Sequence, residues 1–533
     1  MRLHKIALLA ATAGIVLVPP AASAAPSEVT IDPRGLRQIG TIDERYQSYN
    51  IEMIEVVGGK WWAPYPSSGI TIASATAQPA PIASGISPSA MSARPPLNLA
   101  DGRLRKLAGA LSPAYVRVSD TWANTLYFQN TDDPVAHPAP AGFGAVLTRP
   151  QWKGMIDFSN AMDAKIVTSF SIGTGVRDAS GAWTPIEAEK LLSYTEKAGG
   201  RIAAAEFFNE PNMAVIEGAP KGYDAAQYGR DFRIFRSFIR NRAPSLLLLG
   251  PGPVGERRNF ASFPGAIHTE DMLKAEGPGL DAISYHYYGA FSRRCQSMGQ
   301  QFQTSADDAL TPQWLSATAD DADFYGSLRD RYEPGKALWL SETAQAACGG
   351  DAWAATFADT FRYLNQLGLL AKHGVSVTMH NTLIGSDYGL VDDRTLTPRP
   401  NYWAALLWRK LMGTKVLDAN VPASPNLYVY AASLRGDTGG VALLVINADR
   451  RNATKFRLPQ KSQRYTLTAP ALLDTQVRLN GTILKVSKNG DLPAIQGTAA
   501  ASVNELAPQS ITFFAISSAD LRGAKIPGTV PAE

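Results

Sequence analysis

The sequence predicts an α/β protein, a (β/α)8 TIM barrel followed by a C-terminal all-β sandwich. Three observations carry this expectation. Short apolar strands alternate with amphipathic helical stretches from about residue 46 to 413. Two of these strand-like runs, far apart in the chain, end in a lone glutamate. From about residue 414 the helical period disappears, and short strands separated by Asn-Gly and Gly-Gly turns take over.

Eight stretches read as barrel strands: Ser48–Val56, Tyr115–Val118, Lys165–Ser171, Ile202–Phe208, Leu246–Gly250, Ala282–His286, Ala337–Leu340 and Val375–Met379. Between them Gln151–Met162, Pro185–Ala198, Ala225–Arg242, Trp353–Lys372 and Pro400–Met412 repeat apolar residues at three- and four-residue spacing, the helical period. Pro398, Pro400 and Gly413 punctuate the last of them. An open doubly wound sheet is the alternative. It calls for a glycine-rich phosphate turn after its first strand, which Val56-Val57-Gly58-Gly59 does not supply. In the tail, Leu427–Ser433, Val441–Asn447, Thr454–Leu458, Tyr465–Ala469 and Ser510–Ile516 read as sandwich strands. The expected division is a leader over 1–24, a segment 25–45 that is a candidate to add a strand to the sandwich, a barrel over 46–413 and a sandwich over 414–533. The Ala-, Ser- and Pro-rich stretch Ala73–Pro96 reads as a surface loop of the barrel.

Composition narrows the classes of function. At 45% hydrophobic and 18% charged residues, the chain reads as globular rather than disordered. A net charge of +4, with no basic run interleaved with aromatics, gives no reason to expect a nucleic-acid partner. Arg2, His4 and Lys5 precede the apolar run Ile6–Val18 and the small residues Ala22-Ser23-Ala24, the pattern of a signal peptide cleaved near Ala24. No membrane span is expected, so the mature chain is expected to be secreted or periplasmic, and a monomer. Export favours pairing the two cysteines, Cys295 and Cys348. Closing that loop is worth roughly 4 kcal/mol in the chain-entropy model.

The chemistry is expected at strand ends. Ile202–Phe208 runs into Asn209-Glu210-Pro211, and Ala337–Leu340 into Ser341-Glu342-Thr343. Counted along the barrel, Glu210 ends strand four and Glu342 strand seven, across the mouth from each other. Two facing carboxylates suit cleavage of a glycosidic bond, one as proton donor and the other as nucleophile. A helix-capping glutamate is the bland reading of Glu210. The six histidines form no spaced ligand cluster, no Gly-x-Ser-x-Gly elbow or Walker loop appears, and neither a metal nor a cofactor is expected.

Phe208-Asn209-Glu210-Pro211-Asn212 and Trp339-Leu340-Ser341-Glu342-Thr343 resemble the acid/base and nucleophile motifs of the large barrel-glycosidase clan. Tyr388–Asp392, Pro400–Trp403, Leu411–Leu417 and Leu111–Val118 resemble glycoside hydrolase family 79, the heparanase and β-glucuronidase family, in its bacterial-type secreted form. The resemblance implies Glu210 as acid/base and Glu342 as nucleophile. It implies that Asn209 binds the sugar 2-hydroxyl, that Tyr388 and the backbone of Gly349 and Gly350 hold the uronate carboxylate, and that Glu52 grips sugar hydroxyls. Thr121, His286 and Tyr288 match further pocket residues; packed barrel positions are the plainer reading of His286 and Tyr288, and an ion pair is that of Glu52. Cys348 stands where the family can show a third glycine. It follows strand seven as Cys295 follows strand six, so a bridge would join neighbouring loops. The short, Pro-rich Gln129–Arg149 implies a single-chain enzyme without the excised linker of mammalian heparanases.

The substrate so implied is an oligo- or polysaccharide containing glucuronic acid, with exo-β-glucuronidase action as the first reading. Phe291–Gln313 and Trp61–Arg94 are the insertions expected to wall off the non-reducing side. An endo-acting heparanase, a carbohydrate-binding pseudoenzyme and a neutral-sugar glycosidase remain as alternatives.

Overall fold

A computed structural model describes residues 28–65, 90–136, 138–257, 263–298, 302–422 and 424–517. The expected leader and most of the Ala73–Pro96 loop lie outside them.

Eight parallel strands close into a barrel: β1 Gln47–Asn50, β2 Ala114–Val118, β3 Ala164–Thr168, β4 Ile202–Ala205, β5 Leu247–Val254, β6 Ala282–Tyr288, β7 Ala337–Ala344 and β8 Val375–His380. β8 pairs with β1 through Thr378–Gln47 and His380–Tyr49, which completes the ring. The interior is packed, with Tyr115, Val167, Ala204, Leu249, Trp339, Val377 and Met379 in one buried cluster. The large core outside the ring is built from strand residues such as Val116, Ile166 and Leu248 and from helix residues such as Trp152, Phe232, Phe361 and Trp403. The in-out alternation of Tyr115 and Val116, or Ile166 and Val167, is the period of two that a strand imposes.

The helices Arg149–Ala161, Ile186–Lys197, Ala225–Arg242, Phe357–Lys372 and Pro400–Leu411 lie within a few residues of their expected bounds. Gly102–Gly109, Thr269–Glu276 and Pro312–Tyr332 are further helices. Local chemistry sets several starts: Thr148 with Gln151, and Asp224 with Gln227, form capping boxes.

Three strand expectations need correction. β1 stops at Asn50, and Met53–Val57 is a short helix. Its first turn is fixed by the Glu52 N–H donating to Glu55 and the Ile54 N–H donating to Asp120, so the segment Met53–Val57 is helical rather than extended. β4 stops at Ala205, four residues short of Asn209. β7 runs on through Ala344, which places Glu342 inside the strand.

Beyond the barrel the chain is largely β. A main sheet carries Met412–Leu417, Leu427–Leu434, Val441–Asn447, Ser510–Ile516 and Gln463–Thr468 in that order. Gln38–Thr41 adds to its edge against Met412–Leu417. A three-stranded sheet of Glu28–Thr30, Thr454–Arg457 and Val503–Leu506 faces it across Leu443, Val445, Phe456, Leu506 and Phe514. The alternate residues Leu444, Ile446 and Phe513 pack into the barrel's outer core. Because both faces of Val441–Asn447 are buried, that strand is apolar from Val441 to Ile446 rather than alternating.

Candidate active site

At the C-terminal end of the barrel lies a cavity of about 330 Å³. Among the described residues it is lined by Glu52 beyond β1, Asp120, Thr121 and Trp122 beyond β2, Asn209, Glu210 and Glu217 beyond β4, Tyr288 of β6, Glu342 of β7, Cys348 beyond β7 and Tyr388 beyond β8.

Glu210 does not end its strand but sits five residues past it, in the left-handed region at φ 46° and ψ 58°. That conformation costs a non-glycine residue about 1–2 kcal/mol. It is held by the 3-10 turn Pro211–Met213, in which the Met213 N–H donates to the Glu210 carbonyl at 2.8 Å. His286 Nδ1 lies 3.0 Å from the Glu210 carboxylate. Glu342 is gripped at both oxygens: Arg117 Nη1 donates to one and the Tyr288 hydroxyl to the other, each at 2.6 Å. One carboxylate oxygen from Glu210, one from Glu342 and a ring nitrogen of His286 fall within 4.8 Å of one another. That donor set is one a divalent cation can use. Here the positive charge beside the two acids comes from Arg117 and His286.

Beneath the mouth the barrel strands meet in a buried polar network. Arg117 donates to Glu206 at 2.8 and 3.0 Å and to Asn209 Oδ1 at 2.9 Å. Ser341 donates to the other Glu206 oxygen at 2.6 Å. The Glu206 side chain is 0% exposed and that of Arg117 1%, so each charge survives burial only because the other is there. Burial pushes the Glu206 carboxyl up, but Arg117, His286 and Ser341 outweigh it and hold it far below the usual carboxylate range. Burial would lower His286, yet the nearby carboxylates, Glu342 first, push it up to about 9. Burial raises Glu210; its bond to His286 opposes this and the charge of Glu342 adds to it.

On the β1–β8 side, Glu52 accepts from Tyr388 at 2.8 Å and from Asn381 Nδ2 at 2.7 Å. Asn381 Nδ2 also lies 3.0 Å from the hydroxyls of Tyr288 and Tyr388. Burial first, and Glu342 second, push Glu52 up to about 7. On the β2–β4 side, Thr121 donates to Glu217 at 2.9 Å, and Asn124 and Asn209 donate to its second oxygen at 2.8 and 3.2 Å. Burial, then the charge of Glu210, raises Glu217 well above its ordinary value.

The structure therefore brings Glu210, Glu342, Asn209, Glu52, Thr121, Tyr288 and Tyr388 to one cavity. It puts others elsewhere. His286 is fully buried under the pair rather than on the wall. Gly349 and Gly350 stand behind the wall, which is formed by Ala347 and Cys348. The Gly350 N–H donates to the Ala346 carbonyl at 3.1 Å, and the Gly349 carbonyl accepts from the Asp387 N–H at 3.0 Å. Both glycines have positive φ, and a Cβ on Gly349 would meet the Trp62 side chain at 2.8 Å. Close packing thus explains them, and the Gly350 N–H is already used. Cys295 and Cys348 are disulfide-bonded. The Arg294 guanidinium ties that loop down by donating to the Cys348 and Gly350 carbonyls at 3.2 and 2.6 Å and by pairing with Asp387. His380 is buried, with Nε2 2.8 Å from the Tyr388 carbonyl, so it braces the tyrosine's backbone from outside the wall.

Sequence reasoning did not single out Arg117, Glu206, Glu217, Asn124 or Asn381 as site residues. A trace was present: Arg117 interrupts the apolar strand Ala114–Val118, and Glu206 directly follows the apolar Ile202–Ala205. Charges embedded so are costly to bury unpaired.

Comparison with known proteins agrees with this architecture. The profile of the N-terminal domain of glycosyl hydrolase family 79 matches residues 98–368, half of the chain. The chain is similar to heparanase-like protein 1 of Arabidopsis thaliana, 29% identical over 51% of this chain and 48% of that protein. It is similar to heparanase of Mus musculus, 28% identical over 80% of this chain and 87% of that one. It is similar too to baicalin-beta-D-glucuronidase of Scutellaria baicalensis, 28% identical over 63% of each. The chain thus spans about half the length of the Arabidopsis relative. Among solved structures, a 4-O-alpha-L-rhamnosyl-beta-D-glucuronidase from Fusarium oxysporum 12S superposes with a TM-score of 0.61 at 11% identity, covering 91% of this chain and 100% of that one, a likeness of fold. On the profile match, the chain belongs to glycosyl hydrolase family 79.

Proposed function

We propose that the protein is a retaining exo-β-glucuronidase, with Glu342 as nucleophile and Glu210 as acid/base. The observation that supports the retaining mechanism is the approach of the two carboxylates to within 4.8 Å. Retaining glycosidases hold theirs about 5–5.5 Å apart, and inverting enzymes leave room for a water at about 6.5–9.5 Å.

In the first step a Glu342 oxygen bonds to the anomeric carbon as the bond to the leaving oxygen breaks. Glu210 gives that oxygen its proton, and the alcohol departs. In the second step Glu210 takes a proton from water, the water oxygen bonds to the anomeric carbon, and the ester to Glu342 breaks. Free sugar leaves and both carboxyls return to their first state. Arg117 and Tyr288 each donate to one oxygen of the nucleophile and so fix its orientation. Burial favours the protonated acid. Asn209 meets the 2-hydroxyl beside the nucleophile, Glu52 grips hydroxyls, and Tyr388 receives the uronate carboxylate, with Thr121 and Tyr288 on the wall.

The deciding measurement is product analysis on a heparan-type polymer and on a small glucuronide. Release of free uronic acid with little shortening supports exo action, and rapid shortening supports the endo alternative. A glucoside cleaved as fast as the glucuronide would overturn the uronide reading. Trapping of Glu342 by a fluorinated uronyl reagent separates an enzyme from a binding protein. The disulfide supports an exported protein, and the N-terminal sequence of the mature chain checks cleavage near Ala24.

A further inference from the structure

We infer that the leaving-group side of the cavity takes an apolar, ring-bearing aglycone and disfavours a sulfated polysaccharide chain. This rests on the glucuronidase reading above. The leaving oxygen must lie against Glu210, which protonates it, so whatever the oxygen carries lies over the chain that follows Glu210.

That chain is apolar where it meets solvent. Val215 is 61% exposed and Ile216 37%, two of the few large hydrophobics on the described surface and consecutive in sequence. Ile216 lines the cavity together with Met213, Val254, Phe263, Phe291 and Trp122. All of these but Ile216 belong to one apolar cluster. Uncovered apolar groups that are contiguous with a reaction site are the usual mark of a binding surface.

Charge points the same way. Five carboxylates line the cavity, those of Glu52, Asp120, Glu210, Glu217 and Glu342, while no Lys, Arg or His does among the described residues. The cations of the site, Arg117 and His286, are buried beneath it and already paired with acids. A sulfated chain needs cations along its track. Of the residues outside the described set, 66–89 contain no Lys, Arg or His, and 258–262 contain one, Arg258. A neutral ring asks only for apolar contact.

The test compares methyl β-glucuronide, 2-phenylethyl β-glucuronide and a sulfated oligosaccharide ending in glucuronic acid. The first two release alcohols of similar acidity, so a difference between them reports binding of the ring. The phenylethyl substrate should exceed the methyl one about tenfold in kcat/KM, the equivalent of about 1.4 kcal/mol, and the sulfated substrate should be the poorest of the three. Ile216→Asp should bring the phenylethyl-to-methyl ratio close to one, and Ile216→Ser should lower it partway, with thermal melts confirming that both variants fold. A phenylethyl ratio near one in the parent enzyme, a ratio that survives Ile216→Asp, or preference for the sulfated substrate overturns the aglycone inference while leaving the glucuronidase reading intact. No turnover of any of the three, or of an aryl glucuronide, overturns both.

Discussion

Arg117 and Glu342 are joined by a 2.6 Å hydrogen bond although 225 residues separate them in the chain. The same guanidinium holds Glu206. One buried cation thereby couples the proposed nucleophile to the end of β4.

Removing the carboxylates should separate their roles. Glu342→Gln should abolish turnover, since no ester can form. Glu210→Gln should slow alkyl glucuronides by about 10²–10⁴-fold and acidic phenol glucuronides far less, because a good leaving group needs no proton. Steady-state kinetics on both substrate types checks this, and equal losses on the two would remove Glu210 from the acid role.

Glu206 should matter for stability as well as for activity. Glu206→Leu alone leaves Arg117 buried with part of its compensation gone and should cost about 3–5 kcal/mol. Adding Arg117→Met should restore much of that loss, because apolar side chains can replace a buried pair, while kcat stays low because Glu342 has lost its donor. Calorimetry of the single and double variants reads the first effect, and kcat the second.

Stability should fall as pH rises from 5 to 9. His286 titrates near 9 in the fold against an ordinary 6.5. Its contribution, about 3 kcal/mol, is fully present below about 6.5 and is lost as pH climbs through 9. Glu52 is raised from 4.5 to about 7, so the folded state also holds its proton more tightly, and this contribution fades between those values. Melting temperatures across this range should decline, and His286→Gln should flatten the upper part of the curve.

Activity should be lost on the alkaline side as Glu210 gives up its proton, at a pH above the ordinary carboxylate range. The bond to His286 opposes the rise. His286→Gln should therefore move the alkaline limb of kcat/KM to higher pH, whatever it does to the maximum. A limb that stays in place would show that Glu210 does not set it.

The Cys295–Cys348 bridge closes 53 residues, worth about 4 kcal/mol of chain entropy. Replacing both cysteines by serine should lower the melting temperature. KM should also rise, since Cys348 forms part of the cavity wall.

Much of the fold was legible because its signals are local. Ala225–Arg242 has the expected bounds, since its apolar residues keep the helical period and Asp224 caps it. Asn480-Gly481 forms the expected turn, both residues adopting positive φ. Where a local pattern misled, a distant partner had intervened. Ile54–Val56 reads as the end of a strand, but Asp120, 66 residues from Ile54, helps cap it into a helix. Gly349 and Gly350, which the resemblance implies as anion donors, pack closely against Trp62 and Tyr388 behind the cavity wall.

By itself the sequence determined the alternation of strands and helices, the change to a β tail, and two glutamates near the ends of the fourth and seventh strands. These follow from side-chain periodicity and from turn residues, which act over a few positions. Only the closed barrel decided how those glutamates are served. Arg117 of β2, Glu206 beyond β4, His286 of β6 and Ser341 of β7 become neighbours when the strands close into a ring. No local pattern encodes those pairings; the energetic penalty of burying each charge or polar group without the others holds them together.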